Sequence, residues 1–161
     1  MAQGFFPYPK GFLLLTEANG ALTELSFSAA PGPHQDETPL LQACRQQLAE
    51  YFAGTRWHFS LPLAPKGTAF QKKVWQVLMQ IPYGQTISYG QLACQVGCPK
   101  GAQAVGSANA RNPLPILIPC HRVIGRDGSL TGYRGGLEVK AFLLALEQAH
   151  HKNASPNPIR Q

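Results

Sequence analysis

The residues best equipped for covalent chemistry lie together in Pro119-Cys120-His121-Arg122-Val123. A thiol beside an imidazole and a guanidinium has the positive surroundings that favour the thiolate, the nucleophilic form of cysteine. The same dipeptide also describes a buried Cys beside a surface His. The preceding stretch, Asn112-Pro113-Leu114-Pro115-Ile116-Leu117-Ile118, is apolar at its centre and bounded by prolines. Those prolines forbid a long helix and stiffen the backbone, so the stretch predicts a rigid, buried segment that delivers Cys120 to its end. A second element bears on this thiol. In a helix over about Leu137 to His150, Glu147 lies about 40° from Leu143, inside the apolar stripe, where a carboxylate is costly unless paired. Two partners fit it: His121, whose tautomer it would fix as the acid of a triad does, or Arg122 in a purely structural ion pair.

The other cysteines carry weaker signals. Cys94-x3-Cys98 followed by Cys120-His121 does not match a paired zinc-ligand spacing, and residues 1–33 contain neither Cys nor His. Cys94 and Cys98 are expected to pack a pair of helices, and Cys44 to be a small core residue. No metal and no cofactor is expected. No apolar run approaches the ~18–20 residues of a membrane-spanning helix, and Pro7 and Pro9 interrupt the start where a signal peptide needs a continuous apolar helix. This predicts a cytoplasmic protein with reduced thiols.

The elements that must position these groups can be read locally. Gly11–Glu17 and Ala21–Ser28 read as a β-hairpin around Asn19-Gly20. A helix is predicted from Thr38 as N-cap and Pro39 as first helical residue to a stop at Gly54, and Trp57 to Leu61 reads as a short strand. Thr68-Ala69-Phe70-Gln71 is a capping-box pattern opening a helix whose face is Phe70, Val74, Val77, Leu78 and Ile81, with Pro82 ending it. Ser88-Tyr89-Gly90-Gln91 is a second box, opening a short helix that ends near Val96-Gly97. Pro99 suits the first position of the next helix, which runs to about Ala110. Two helices around a glycine-containing turn describe either a helix-turn-helix or an ordinary helical hairpin.

The second helix of that pair, Lys100 to Ala110, is built of small residues and lacks long base-reading side chains. Glycine costs about 1 kcal/mol relative to alanine inside a helix, so Gly101 and Gly106 imply a close approach of the backbone, to a packed neighbour or to a nucleic-acid backbone. The composition argues against sequence-specific major-groove readout. Charge is distributed unevenly. Residues 1–66 hold 4 basic and 5 acidic side chains, whereas residues 67–161 hold 10 basic and 3 acidic ones. Such a step predicts two units, the second with an anionic partner such as nucleic acid, or with no more than a solubilising charge.

The motifs together resemble the O6-alkylguanine-DNA alkyltransferases, also called methylated-DNA–protein-cysteine methyltransferases. The active-site signature is Pro119-Cys120-His121-Arg122-Val123. Gly67-Thr68-Ala69-Phe70-Gln71, Ile81-Pro82-Tyr83-Gly84, Ser88-Tyr89-Gly90, Asn112-Pro113 and Gly132-Tyr133 with Gly135-Gly136 follow the family pattern in order, over about residues 48–148.

The resemblance implies an α/β (α+β) fold. A small N-terminal α/β scaffold over 1–66, ribonuclease-H-like with an antiparallel sheet and a helix, would precede a mostly helical domain over 67–150 carrying a winged helix-turn-helix-like motif. Residues 151–161 would form a flexible tail. It implies irreversible, single-use transfer of an alkyl group from O6-alkylguanine in double-stranded DNA to Cys120 after base flipping, with O4-alkylthymine as a further candidate substrate. Flipping makes physical sense because a stacked base shields the atom to be attacked.

By the same resemblance, His121 acts as base through a water, Glu147 orients His121, and Tyr89 crowds the nucleotide's phosphate and donates a proton to the guanine ring. Asn112 ties the helix-turn-helix to the active-site segment, and Val123 offers its carbonyl to the exocyclic amine. Ala102, Gln103, Ser107, Pro115, Arg122, Tyr133 and Arg134 complete the implied substrate- and DNA-binding set. The protein would act as a monomer, through the minor groove and with little sequence preference.

Two positions depart from the family. Gln103 stands where many members place an arginine that fills the gap left by the flipped base, which implies weaker or differently salt-dependent DNA binding. Arg134 stands where many members have a small residue, which puts tolerance of bulky alkyl groups in doubt. Two rival functions fit parts of the pattern. A lesion sensor that only binds DNA has no use for Cys120, and a Cys-His hydrolase would release many products per chain.

Overall fold

The computed structural model describes residues 1–151; of the tail expected over 151–161 only His151 is described, and the rest falls outside the described residues. Three antiparallel strands open the chain: β1 (Ala2–Tyr8), β2 (Gly11–Ala18) and β3 (Ala21–Ser28), in the order β1-β2-β3. The hairpin β2–β3 is the one expected from Asn19-Gly20, and both residues have positive φ. β1 was not foreseen, because Pro7 argues against a strand. It is tolerated because β1 lies at the sheet edge, where a missing N–H breaks no ladder. The free side of that edge is occupied by Gln35 and Asp36. Their side chains accept from Phe5 N at 2.7 Å and Gln3 N at 2.9 Å.

Helix α1 (Pro39–Phe52) begins as predicted, with Thr38 Oγ1 accepting from Leu41 N at 3.1 Å. It lays Leu41, Cys44, Leu48 and Tyr51 into the core. The strand expected over Trp57–Leu61 is absent. That segment is irregular, and only Leu63 makes a parallel bridge, to Leu22. Pro62 and Pro65, which flank the bridge, have no N–H with which to extend it.

Helix α2 (Ala69–Leu78) carries the full reciprocal capping box of Thr68 and Gln71. It stops before Ile81, in successive i→i−3 bonds from Gln80 N and Ile81 N, yet Ile81 stays buried. Helix α3 (Tyr89–Val96) has the second box, Ser88 with Gln91, and ends at Gly97 with φ 92°. Helix α4 covers Ala102–Ala110 with Gly101 as its N-cap, so Pro99 is not its first residue. Pro99 and Lys100 instead lie inside a tight turn closed by Gly101 N donating to Cys98 O at 2.7 Å.

A two-residue strand, β4 (Ile87–Ser88), pairs in parallel with β5 (Val123–Ile124). A single 3₁₀ turn at Cys120–Arg122 precedes β5, and α5 (Leu137–His150) has the predicted bounds. Helices α2, α3 and α4 pack on one another, and the buried apolar residues of both halves form one cluster. The fold is thus the mixed α and β architecture expected, with the sheet first and helices following.

Ser88 caps the helix that carries Tyr89. Ser88→Ala is expected to cost about 1 kcal/mol in urea unfolding, since it removes the acceptor for Gln91 N and leaves only the bond from Ser88 N to Gln91 Oε1. An unchanged midpoint would show that the box contributes nothing.

Candidate active site

The centre of the site is a buried carboxylate. Glu147, from α5, is 1% exposed and is met by donors from three other segments. His121 Nε2 lies 2.7 Å from Oε2, and Arg122 donates through Nε to Oε1 at 2.8 Å and through Nη2 to Oε2 at 3.0 Å. Gly84 N, in the loop after α2, donates to Oε1 at 3.3 Å, and the phenol of Tyr51 in α1 donates to Oε2 at 2.6 Å. The two partners left open by the sequence are therefore both engaged.

Burial alone would push the Glu147 carboxyl up. The adjacent His121 and Arg122 outweigh it and hold the group well below the usual carboxylate range. Glu147 is consequently ionised and can only accept, so His121 donates its Nε2 proton to it. Burial holds His121 below its ordinary pKa against the pull of Glu147, with Arg122 and Lys140 adding to the lowering. The imidazole is neutral at pH 7, and its Nδ1 carries a lone pair. That atom is buried without a hydrogen-bond partner among the described residues.

Cys120 departs from the sequence-based expectation. Its neighbours do not make it a resting thiolate: burial pushes the thiol up to about 11, although Asn112, Lys140 and Arg134 oppose it. The expected helpers fail for a physical reason, since His121 is uncharged and Arg122 is committed to Glu147. Cys44, buried without a base beside it, is pushed to about 12 and is a core residue as predicted. Cys94 is exposed and does not pack the helices. It projects opposite the buried Leu92-Ala93-Val96 face of α3.

The segment before Cys120 is as rigid and buried as its prolines imply. Asn112 Nδ2 donates to Ile118 O at 2.8 Å, and its Oδ1 accepts from Leu114 N at 2.9 Å. Ile118 N donates to Leu114 O at 2.8 Å, and Cys120 N to Ile118 O at 2.7 Å. Within this knot Ile116 has φ 73°, an outlier for a β-branched residue, which persists only because these bonds over-determine it. Pro115 is buried and bridges Ile118. Asn109 Nδ2 also reaches Cys120 O, at 3.4 Å, and ties α4 to the thiol's own backbone.

The remaining predicted residues fall on two faces. Ala102, Gln103 and Ser107 are exposed on one side of α4, while Val105, Ala108 and Asn109 are buried on the other. Gly106 contacts a packed neighbour: a Cβ there would lie 3.5 Å from the ring of Tyr89. Tyr89 is half-buried, and its hydroxyl bonds both Thr131 Oγ1, at 3.2 Å, and Thr131 O, at 3.4 Å. Arg134 is exposed, and the ring of Tyr133 packs on Phe27 of β3 at 5.6 Å. Val123 is buried in β5. Arg122, expected at the ligand surface, is instead held inside: its remaining bond, 2.7 Å long, goes to Ile81 O.

Two residues of this cluster escaped the sequence reading. Tyr51 lies on the buried stripe of α1 with Leu41, Cys44 and Leu48, and nothing in that stripe marks its hydroxyl as engaged. Lys140 was legible, because it lies on the same buried face of α5 as Leu143 and Glu147. It is fully buried and donates to Thr131 O at 2.7 Å, and burial lowers its pKa. Among the described residues no cluster of three or more His, Cys, Asp or Glu is placed to hold a metal, and no helix is long and apolar enough to cross a membrane.

Known proteins resemble this chain in sequence and fold. A family model described as the DNA binding domain of 6-O-methylguanine DNA methyltransferase matches residues 69–149, and one for its ribonuclease-like domain matches residues 1–65. The chain belongs to the 6-O-methylguanine DNA methyltransferase family. It is 49% identical over 154 residues to the constitutive methylated-DNA–protein-cysteine methyltransferase of Bacillus subtilis, covering 89% of this chain and 93% of that one. It is 45% identical to the Haemophilus influenzae enzyme of the same name, over 89% of this chain and 84% of that one. The O6-methylguanine methyltransferase of Mycobacterium tuberculosis superposes with a TM-score of 0.84 at 39% identity, covering 99% of this chain and 98% of that one. A DNA complex of the M. tuberculosis protein superposes with a TM-score of 0.85 at 42% identity, covering 93% and 94%.

Removing the Glu147 charge leaves Arg122 buried without its counter-ion. Glu147→Gln is therefore expected to cost about 3 kcal/mol in denaturant unfolding, the usual cost of breaking a buried pair from one side. A loss below about 1 kcal/mol would mean that the ion pair is solvated.

Proposed function

We propose that this protein repairs O6-alkylguanine in double-stranded DNA by moving the alkyl group irreversibly onto Cys120. The observation that carries the reading is the polarised imidazole beside the buried thiol: Nε2 donates to an ionised Glu147, and Nδ1 is left basic. His121 takes the thiol proton by way of water as Sγ attacks the alkyl carbon. The S–C bond forms and the C–O6 bond breaks, with its electron pair moving into the guanine. Tyr89 donates the ring proton that lets the base leave as neutral guanine, a far better leaving group than its anion. The resulting thioether is not hydrolysed, so each chain acts once.

The DNA-facing part of the reading rests on α4 and on charge. Its exposed Ala102, Gln103 and Ser107 suit a shallow minor-groove approach with little sequence preference, and residues 67–161 supply the net positive charge. Gln103 fills the space of the flipped base without adding charge. Tyr133, Arg134, Pro115 and the carbonyl of Val123 frame the base. Arg122 serves through Glu147. We assign residues 1–66 to the scaffold unit and 67–150 to the reacting unit, and we place the protein, as a monomer, in the cytoplasm.

Intact-mass spectrometry after incubation with O6-methylguanine duplex tests this directly. One methyl mass per chain is expected, on the peptide containing Cys120, and none on Cys120→Ser, which still binds DNA. Turnover beyond one equivalent, or methylation at Cys94 or Cys98, contradicts it. The pH dependence is a second test. His121 and Cys120 are both neutral at pH 7, so transfer should be flat through neutrality and fall only below the ordinary histidine range of ~6.5. An acid limb at or above pH 7 would show that His121 rests as an imidazolium.

A further inference from the structure

We propose that Tyr51 is a positioning residue for alkyl transfer: its phenol occupies a lone pair of Glu147 and so sets how strongly that carboxylate holds His121. The inference rests on the transfer reading above and assigns the N-terminal unit a direct part in it. Tyr51 lies 96 positions from Glu147, in α1, and is 1% exposed. Its 2.6 Å bond to Oε2 falls in the range of charge-assisted O–H···O⁻ bonds. The same oxygen receives His121 Nε2 at 2.7 Å and Arg122 Nη2 at 3.0 Å. Three donors thus compete for one oxygen, and Tyr51 and Arg122 draw negative charge that would otherwise hold a proton on the imidazole.

The geometry separates this effect from packing. The ring of Tyr51 is held by Phe52, Phe59 and Tyr83, with centroids 5.2, 5.4 and 6.1 Å away. Phenylalanine would keep those contacts and remove only the hydroxyl. The other charged or titratable groups of the cluster are Glu147 and Lys140 from α5, Cys120 and Arg122 from the 3₁₀ turn, and Tyr83 from the loop after α2. None of them replaces the phenol: the Arg122 guanidinium is already spent on Glu147 and Ile81 O, and Lys140 Nζ donates to Thr131 O. Without the phenol, Glu147 attracts the imidazolium more strongly, so His121 should protonate at higher pH.

The test compares wild type and Tyr51→Phe as full chains, by NMR titration of the His121 ring nitrogens and by the pH profile of single-turnover methyl transfer. The His121 midpoint is expected to rise by about half to one pH unit, the scale of one ordinary hydrogen bond, because the phenol acts on the imidazole only through Glu147. The acid limb of transfer should move with it, making the variant about three- to tenfold slower on that limb, with its neutral plateau little changed. A merely structural role would lower the unfolding midpoint and leave both curves in place. Superimposed titrations and profiles overturn the proposal.

Phe59→Leu loosens the same ring but keeps the hydroxyl. It should destabilise without moving the His121 midpoint, and a shift matching that of Tyr51→Phe also overturns the proposal. If Tyr51→Phe does not fold, uniform 3-fluorotyrosine substitution makes the phenol a stronger donor and should move the midpoint down; an unchanged or raised midpoint contradicts the inference. The titration needs no DNA. A wild-type chain that accepts no methyl group therefore defeats the transfer reading while leaving the Tyr51 coupling measurable.

Discussion

A carboxylate cannot be ionised inside a protein unless its charge is answered, and Glu147 is answered from every side. Tyr51 reaches it from α1, Gly84 from the loop after α2, and His121 and Arg122 from the turn that bears the thiol. These groups are far apart in sequence, so the tertiary fold must converge on one point before the charge can be buried. Gly84, with φ 79°, turns its N–H inward to complete the set. The knot around Asn112 plays the matching part on the other flank, fixing the backbone that leads into Cys120.

This arrangement settles how the thiol is kept. A low-pKa cysteine would react with any electrophile in solution, which would waste a reagent used once. Here burial keeps Cys120 protonated, and the imidazole of the next residue in the chain is also kept neutral by burial. In the proposed reaction the proton moves when an alkylated base is in place, which confines reactivity to the substrate. Lys140, held in the core against Thr131, adds positive charge that favours an anion on the Cys120 sulfur. The same Thr131 binds the Tyr89 hydroxyl, so the proposed proton donor and Lys140 share one partner.

Features set by neighbouring residues could be read from the sequence. Both capping boxes and the Thr38 cap depend on side chains within four positions of the bonds they make. Cys120, His121 and Glu147 were legible because a carboxylate on an apolar stripe needs an explanation. Features set by tertiary surroundings were not. Pro7 hides an edge strand whose tolerance depends on having no further strand beyond it, and the Cys98–Gly101 turn displaces the start of α4 beyond Pro99. The charge state of Cys120 was misread because proximity in sequence was taken for electrostatic influence, whereas Arg122 turns away to Glu147. The Tyr51 hydroxyl gives no signal at all in a stripe of apolar residues.

The account stands on one proton, the one on His121 Nε2. Nitrogen NMR of His121 in the full chain at pH 7 locates it without substrate or mutation. The account predicts a neutral imidazole protonated at Nε2, with Nδ1 bare and able to take the thiol proton. An imidazolium, or a neutral ring protonated at Nδ1, would contradict it.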